Sequence, residues 1–223
     1  MGKNAGLFSS SLGKKSLMAL TGLFLCSFLI IHFLGNIALF TNPVQFNEYT
    51  RFMSSNPIIR VMEIVLVLGF LTHIIDAIIL SRANKKAQPV KYAMNKNKSS
   101  WYSRNMGLTG SVIFVFLILH LQSFWYEYKF GDVATITYDQ TEIKNMYLIV
   151  TTAFKEWWYS GIYILAVILL GTHLNHGFQS AFQSIGLRHK KYTPTIKMLG
   201  TVFSIFITLG FISFPIYFFI FQR

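Results

Sequence analysis

The sequence is poor in charged residues, poorer still in acids, and contains one cysteine. Only 13% of its 223 residues are charged, and 8 acids stand against 20 lysines and arginines. The single Cys26 excludes an internal disulfide and a cysteine-ligated iron–sulfur cluster, and no GxGxxG turn opens a βαβ unit for a flavin. Since 53% of the residues are hydrophobic, the composition indicates a membrane protein and not a soluble domain.

What the sequence does contain is five apolar runs, each long enough to cross about 30 Å of hydrocarbon. We predict an all-α membrane protein in which residues 1–223 form one domain of five transmembrane helices. The first run is followed by no small-residue cleavage signature, so we expect it to be retained. We also expect a short surface helix in the polar loop 128–156. The predicted spans are 16–40, 57–81, 105–126, 157–182 and 198–222.

Basic residues are concentrated in alternate loops. The N-terminal tail, the loop from Arg82 to Arg104 and the loop from Arg188 to Lys197 carry 3, 7 and 4 lysines or arginines and no acid. Because short loops rich in lysine and arginine stay in the cytoplasm, we predict that the N-terminus lies inside and the C-terminus outside. Charge in such loops favours lipid head groups or a docked protein as its partner, and not nucleic acid.

Four of the six histidines lie in the first four predicted helices, one in each. An ionisable side chain in lipid is costly, so each is a functional candidate that should face the bundle interior. Each lies about 16 residues, or roughly 24 Å, from the point where the chain enters its helix. Since successive helices run in opposite directions, His32 and His120 share the outer half of the membrane, and His73 and His173 share the inner half.

Two histidines at one depth suit a haem iron, which takes one axial donor on each face of a planar macrocycle. We therefore predict that the first four helices form a bundle holding two haems, in layers on the order of 15 Å apart. A tetrahedral zinc site would instead need four donors at one depth. His176, one turn beyond His173, is an alternative ligand or a contact for a haem propionate, and His189 should be solvated.

Two acids lie within the second predicted helix. Glu63 is near its outer end, where quinone chemistry would need a titratable group with access to water. The alternative is an interfacial carboxylate that pairs with Arg60. Asp76 lies toward the inner end, where we expect it to pair with a basic residue of an inner loop.

Several stretches of the chain resemble the dihaem cytochrome b membrane anchors of succinate:quinone oxidoreductases and quinol:fumarate reductases. They are SLGKKSLMALTGLFL with IIHFLGN, SRNMGLTG with FLILHLQSFW, and THLNHGFQSAFQSIG. The resemblance implies that His32 and His120 hold one haem b and that His73 and His173 hold the other. It also implies an FAD-carrying flavoprotein and an iron–sulfur protein on the inner face, a quinone, with menaquinone favoured, and a bacterial cytoplasmic membrane.

The sequence departs from the family pattern at one position. Some quinol:fumarate reductases carry a glutamate two residues before the fourth ligand as part of a proton route, and this chain has Gly171 there. That favours succinate oxidation over fumarate reduction. Two other functions stay open from the sequence: the cytochrome b anchor of a formate dehydrogenase or hydrogenase, and a haem-free transporter.

Overall fold

The computed structural model describes residues 10–87 and 101–221. Five of its helices are apolar and long enough to cross a membrane, which confirms the predicted all-α membrane protein with five spans. Their apolar side chains point outward: Ile58, Leu165 and Leu209 are 75%, 59% and 63% exposed, as expected of surfaces that contact lipid. The five helices are α1 Ser11–Asn36, α3 Pro57–Ala87, α4 Trp101–His120, α7 Trp157–Ser184 and α8 Thr193–Phe221.

The first two of these helices extend beyond the apolar runs at their basic ends. α1 begins at Ser11, where the Ser10 hydroxyl accepts a hydrogen bond from the Gly13 amide at 3.0 Å. α3 continues to Ala87 with Lys85 and Lys86 in its last turn, where cations offset the helix dipole. The predicted basic loop therefore begins as helix. Its residues 88–100, like residues 1–9 and 222–223, lie outside the described residues.

The first and second spans are joined by a helix that we did not predict from the sequence. After a 3-10 turn at Ile37–Phe40, α2 occupies Pro43–Ser55. Asn42 caps α2, since its Oδ1 accepts a hydrogen bond from the Val44 amide at 2.9 Å, and a proline fills the first turn. The signal that could have predicted α2 is this Asn-Pro pair, which recurs at the start of α3.

The polar loop after the third span folds into a hairpin and a helix. α4 continues through a π-helical segment, Leu121–Tyr126, into the short α5, Glu127–Phe130. Two antiparallel strands follow, β1 at Thr135–Tyr138 and β2 at Thr141–Lys144. The expected surface helix is present as α6, Met146–Lys155, whereas the hairpin is not predicted from the sequence.

The hairpin turn has left-handed backbone at both central residues. Asp139 and Gln140 have φ of 44° and 63°, the combination that matches the twist of two paired strands. In this register Ile136 pairs with Ile143, and Ile143 is 3% exposed. The hairpin therefore presents an apolar side chain to the rest of the protein.

α2, the hairpin and α6 cover one end of the bundle, and we call residues 43–55 and 135–155 the cap. A buried Asn47 joins its parts, because its Nδ2 donates to Asn145 Oδ1 at 3.0 Å and its Oδ1 accepts from the Tyr147 amide at 2.8 Å. Apolar side chains of the cap and of the spans share one core. Its buried members are Leu39, Phe46, Phe124, Met146, Val150, Phe154, Tyr163, Phe214 and Phe218.

α7 is the central helix of the bundle. It packs against α1, α4 and α8, while α3 packs on α1. α7 and α8 approach each other closely at Gly171, where an added Cβ would overlap the Thr208 hydroxyl. Small residues allow such close approach between helices in membranes, so the position of α8 depends on glycine at 171.

Replacing Gly171 with alanine should destabilise the fold by about 1–3 kcal/mol, the usual range for overpacking. Thr208 is not free to turn away, since its hydroxyl donates to the Ser204 carbonyl at 2.7 Å. The control is Gly161→Ala in the same helix, where an added Cβ meets none of the described residues within 4 Å. Thermal unfolding in detergent measures both variants, and equal effects would contradict the close approach of α7 and α8.

Candidate functional site: two histidine pairs

The four membrane histidines lie in two pairs. The rings of His32 on α1 and His120 on α4 have centroids 5.7 Å apart, and those of His73 on α3 and His173 on α7 have centroids 6.4 Å apart. These are the partners that equal depth predicts. We call the first the cap-side pair and the second the basic-side pair, after the end of the bundle that each is nearer.

Each ring of the basic-side pair contacts a threonine on a neighbouring helix. Thr21 Oγ1 lies 3.2 Å from His73 Nδ1, and Thr109 Oγ1 lies 3.4 Å from His173 Nδ1. Each hydroxyl has a carbonyl one turn earlier in its helix to which it donates, so each oxygen is able to accept from a histidine protonated at Nδ1. This tautomer leaves Nε2 with a free lone pair, the form in which imidazole binds a metal.

A glycine follows each of these threonines and makes room for the ring. A Cβ at Gly22 would lie 3.4 Å from His73 Cε1, and a Cβ at Gly110 would lie 3.5 Å from His173 Cε1. Both are ordinary van der Waals distances, so each imidazole packs directly against the neighbouring helix at this glycine. The Thr-Gly pair thus both holds and accommodates the histidine of the adjacent helix.

The sequence contains this arrangement twice. Leu-Thr-Gly occurs at 20–22 and at 108–110, and His32 and His120 each follow the threonine by eleven residues. Two residues that are eleven positions apart in a helix lie on nearly the same face, about 16 Å from each other. α1 and α4 therefore each serve both pairs, in layers about 16 Å apart. Reasoning from histidines alone misses Thr21 and Thr109, whereas the repeated Thr-Gly-x9-His pattern could have found them.

The cap-side pair lies among aromatic side chains. His120 Nδ1 is 3.0 Å from the hydroxyl of the buried Tyr163, which lies 3.3 Å from the Tyr159 hydroxyl. The ring of His32 is stacked on Phe28 with centroids 5.3 Å apart. Tyr163 belongs to the core shared with the cap, so packing of the cap supports the position of His120.

The backbone directly after His120 is π-helical over Leu121–Tyr126. Such segments are rare and are frequent at functional sites. Phe124 within it contacts the His120 ring with centroids 5.4 Å apart, and Trp125 reaches Glu63 on α3. The segment therefore connects the cap-side pair to the end of a second helix.

Of His173 and His176, it is His173 that faces His73. His176 lies one turn further along α7 and lines a cavity at the basic end of the bundle. His189 is exposed in the loop before α8, where its Nδ1 accepts a hydrogen bond from the Lys191 amide at 3.2 Å.

Glu63 joins the cap-side ends of α3 and α4. Its Oε2 lies 3.0 Å from Arg60 Nη1, the partner expected from the i, i+3 spacing. Its Oε1 accepts from Lys129 Nζ and Trp125 Nε1, neither of which was predicted from the sequence. Lys129 also lies over the Trp125 ring, 4.3 Å from its centroid. The carboxylate is thus the centre of a clamp between two spans.

Asp76 is buried, and most of the inner loop expected to supply its basic partner lies outside the described residues. It is 5% exposed, and its Oδ2 has no hydrogen-bond partner within residues 10–87 and 101–221. The positive charge that acts on it comes from Lys14 on α1. Since Lys14 lies near the start of that helix, this interaction joins the basic ends of α1 and α3.

The spacing of both pairs suits one metal ion between two imidazoles. Metal–imidazole bonds of about 2.0 Å on opposite sides of an ion put the ring centroids about 6 Å apart, close to the observed 5.7 and 6.4 Å. Within the described part of the chain, no three His, Cys, Asp or Glu side chains converge as a metal site. The two donors of each layer would suit a group such as haem, whose iron takes two ligands from the protein.

No family model, curated protein or solved structure matches the chain. Its function is therefore inferred from the two histidine pairs and from their hydroxyl partners.

The clamp at Glu63 is tested by Glu63→Gln and Lys129→Gln, alone and combined. The side chains are 25% and 17% exposed, so we expect each single variant to lose about 1 kcal/mol and the double variant to lose less than their sum. The control pairs Glu63→Gln with Lys155→Gln on α6, where the two losses should add. Unfolding free energies in detergent measure the coupling, and additivity with Lys129 would contradict a direct interaction.

Proposed function

We propose that this chain is the cytochrome b anchor of a succinate:quinone oxidoreductase or quinol:fumarate reductase, transferring electrons between a soluble dehydrogenase and a membrane quinone. The observation that carries the proposal is a facing pair of imidazoles at each of two levels in a membrane bundle. The motifs around His32, His120 and His173 support this particular complex over other respiratory cytochromes.

The donors fit two haems b. His32 and His120 would ligate one iron, and His73 and His173 the other. Each haem, when bound, supplies a one-electron carrier whose potential depends on its ligands and surroundings. A spacing of about 16 Å along α1 and α4 keeps the two levels distinct.

The chain's own residues orient these ligands and exclude water. Thr21 and Thr109 hold the basic-side imidazoles with Nε2 free. Tyr163 has the corresponding position beside His120 Nδ1. We assign His176, one turn beyond the fourth ligand, to a contact with a haem propionate.

We propose that the basic end of the bundle faces the cytoplasm of a bacterium, with the N-terminus inside. Lys85 and Lys86 lie at this end. An iron–sulfur protein and an FAD-carrying flavoprotein would dock here, beside the basic-side pair. The dicarboxylate chemistry would occur on those partner proteins, since this chain has neither a flavin motif nor the cysteines for a cluster.

At the cap end, we propose that Glu63 exchanges protons with the quinone, for which the resemblance favours menaquinone. The side chain is 25% exposed and lies at the end of α3. To transfer a proton, the carboxylate would first have to leave Arg60 or Lys129. Breaking these ion pairs is therefore part of the proposed step. The rate of quinone reduction by the Glu63→Gln variant would test it.

Succinate oxidation is the direction we propose. The glutamate that some fumarate reductases use for proton transfer would stand at Gly171, where even a Cβ overlaps Thr208. This position of α7 therefore has no room for a carboxylate side chain, and a proton route of that type would need a different helix packing.

Haem content tests the proposal directly. A pyridine haemochrome assay should give two haems b per chain, and His173→Ala or His120→Ala should each remove one. His189→Ala is the control and should keep both, because His189 is exposed outside the bundle. A protein without haem would support the transporter instead, and a co-purifying metal–pterin or nickel protein would support a formate dehydrogenase or hydrogenase anchor.

The hydroxyl contacts predict separate effects on the two haems. A hydrogen bond from Nδ1–H raises the basicity of a ligating imidazole and so stabilises the oxidised iron. Thr109→Val should therefore raise the midpoint potential at the basic side only, and Tyr163→Phe at the cap side only. The control is Thr172→Val, whose hydroxyl donates to the Leu169 carbonyl. Spectroelectrochemical titration measures both potentials, and a uniform shift would contradict the assignment.

A further inference from the structure

A cavity of about 250 Å³ lies at the basic end of the bundle, between the end of α7 and the start of α8. One wall comes from Gln179 and Gln183 on the last two turns of α7. The other comes from Arg188 in the connecting loop and Lys197 in the second turn of α8. Because both helices are membrane spans, their ends put this cavity at the level of lipid head groups.

The charge in the cavity is uncompensated. Arg188 and Lys197 line it, and no acidic residue occurs anywhere from 157 to 223. The two ion pairs in the described part of the chain both use Glu63, on a different helix at the cap end. Two cations without a carboxylate attract an anion, and the glutamine amides and the Ser180 hydroxyl add neutral hydrogen-bonding groups.

The remaining lining is mixed, with His176 and Thr193 beside three apolar residues. Phe182, Leu187 and Ile196 line the cavity beside the charged groups. Just outside it, Met198 and Leu199 of α8 are 60% and 52% exposed. A cavity that is basic at one side and continuous with a lipid-facing apolar surface fits an amphipathic anion. Its volume is below the range of about 300–1,000 Å³ common for whole small-molecule ligands, so it suits a head group whose tails remain outside.

We propose that this cavity is a binding site for the phosphate head group of an anionic phospholipid. Arg188 and Lys197 hold the phosphate, and the acyl chains run along the apolar surface of α8. Basic pockets between helices at a cytoplasmic membrane surface bind anionic lipids by this chemistry. The inference depends on the membrane location and not on haem binding, so it stands or fails independently of the proposed redox function.

The test is retention of phosphatidylglycerol by the purified protein, with any co-purifying partner proteins, measured by native mass spectrometry and by titration in detergent. The double variant Arg188→Gln/Lys197→Gln should lower the affinity at least about ten-fold, because it removes both charge-assisted contacts to the phosphate. The matched control Lys190→Gln/Lys191→Gln removes the same charge from the same loop and should bind as the parent does. The exchange Arg188→Lys/Lys197→Arg should also retain the lipid.

Four results would overturn the proposal. Equal loss in both double glutamine variants would mean a general charge effect, and equal binding of phosphatidylcholine would mean that the anion is not recognised. Displacement of phosphatidylglycerol by millimolar inorganic phosphate would identify a site for the free ion. If Arg188→Gln/Lys197→Gln lost haem or a partner protein but kept the lipid, the cavity would belong to a propionate or to a docked partner.

Discussion

The bundle depends on satisfying four imidazole rings in hydrocarbon. Each ring has two nitrogens that water cannot reach from within a bilayer, and an unpartnered polar group there is costly. Thr21, Thr109 and Tyr163 contact one nitrogen of His73, His173 and His120. Under the proposed haem ligation the second nitrogen of each ring would bind iron, so polar satisfaction and ligation would require the same arrangement.

The two histidine pairs satisfy this requirement by different means. At the basic side, the hydroxyls come from threonines of the transmembrane helices α1 and α4. At the cap side, Tyr163 belongs to an aromatic core that includes Phe154 and Met146 of α6. The environment of the cap-side pair therefore depends on the folding of a surface element, whereas that of the basic-side pair depends only on spans.

The depth of the histidines could be predicted from the sequence because helical rise is constant. Contacts between residues far apart in the sequence could not be predicted in this way. Asn47 bonds to Asn145, 98 residues away, and only the folded cap brings these two amides together. At Glu63, spacing alone predicts Arg60 as a partner, but Lys129 follows a π-helical segment that changes the register of its helix end. The Thr-Gly pattern could have been predicted, since it occurs twice in the sequence.

α8 carries no histidine, yet its side chains pack close to both histidine pairs. Its Phe211 contacts the His32 ring with centroids 5.7 Å apart, so it helps to enclose the cap-side pair. Its Thr208 meets α7 at Gly171, two residues before His173. A helix that approaches α7 this closely limits rotation of α7 about its axis, and such rotation would turn His173 away from His73. The fifth span therefore helps to fix the geometry of histidines that it does not itself carry.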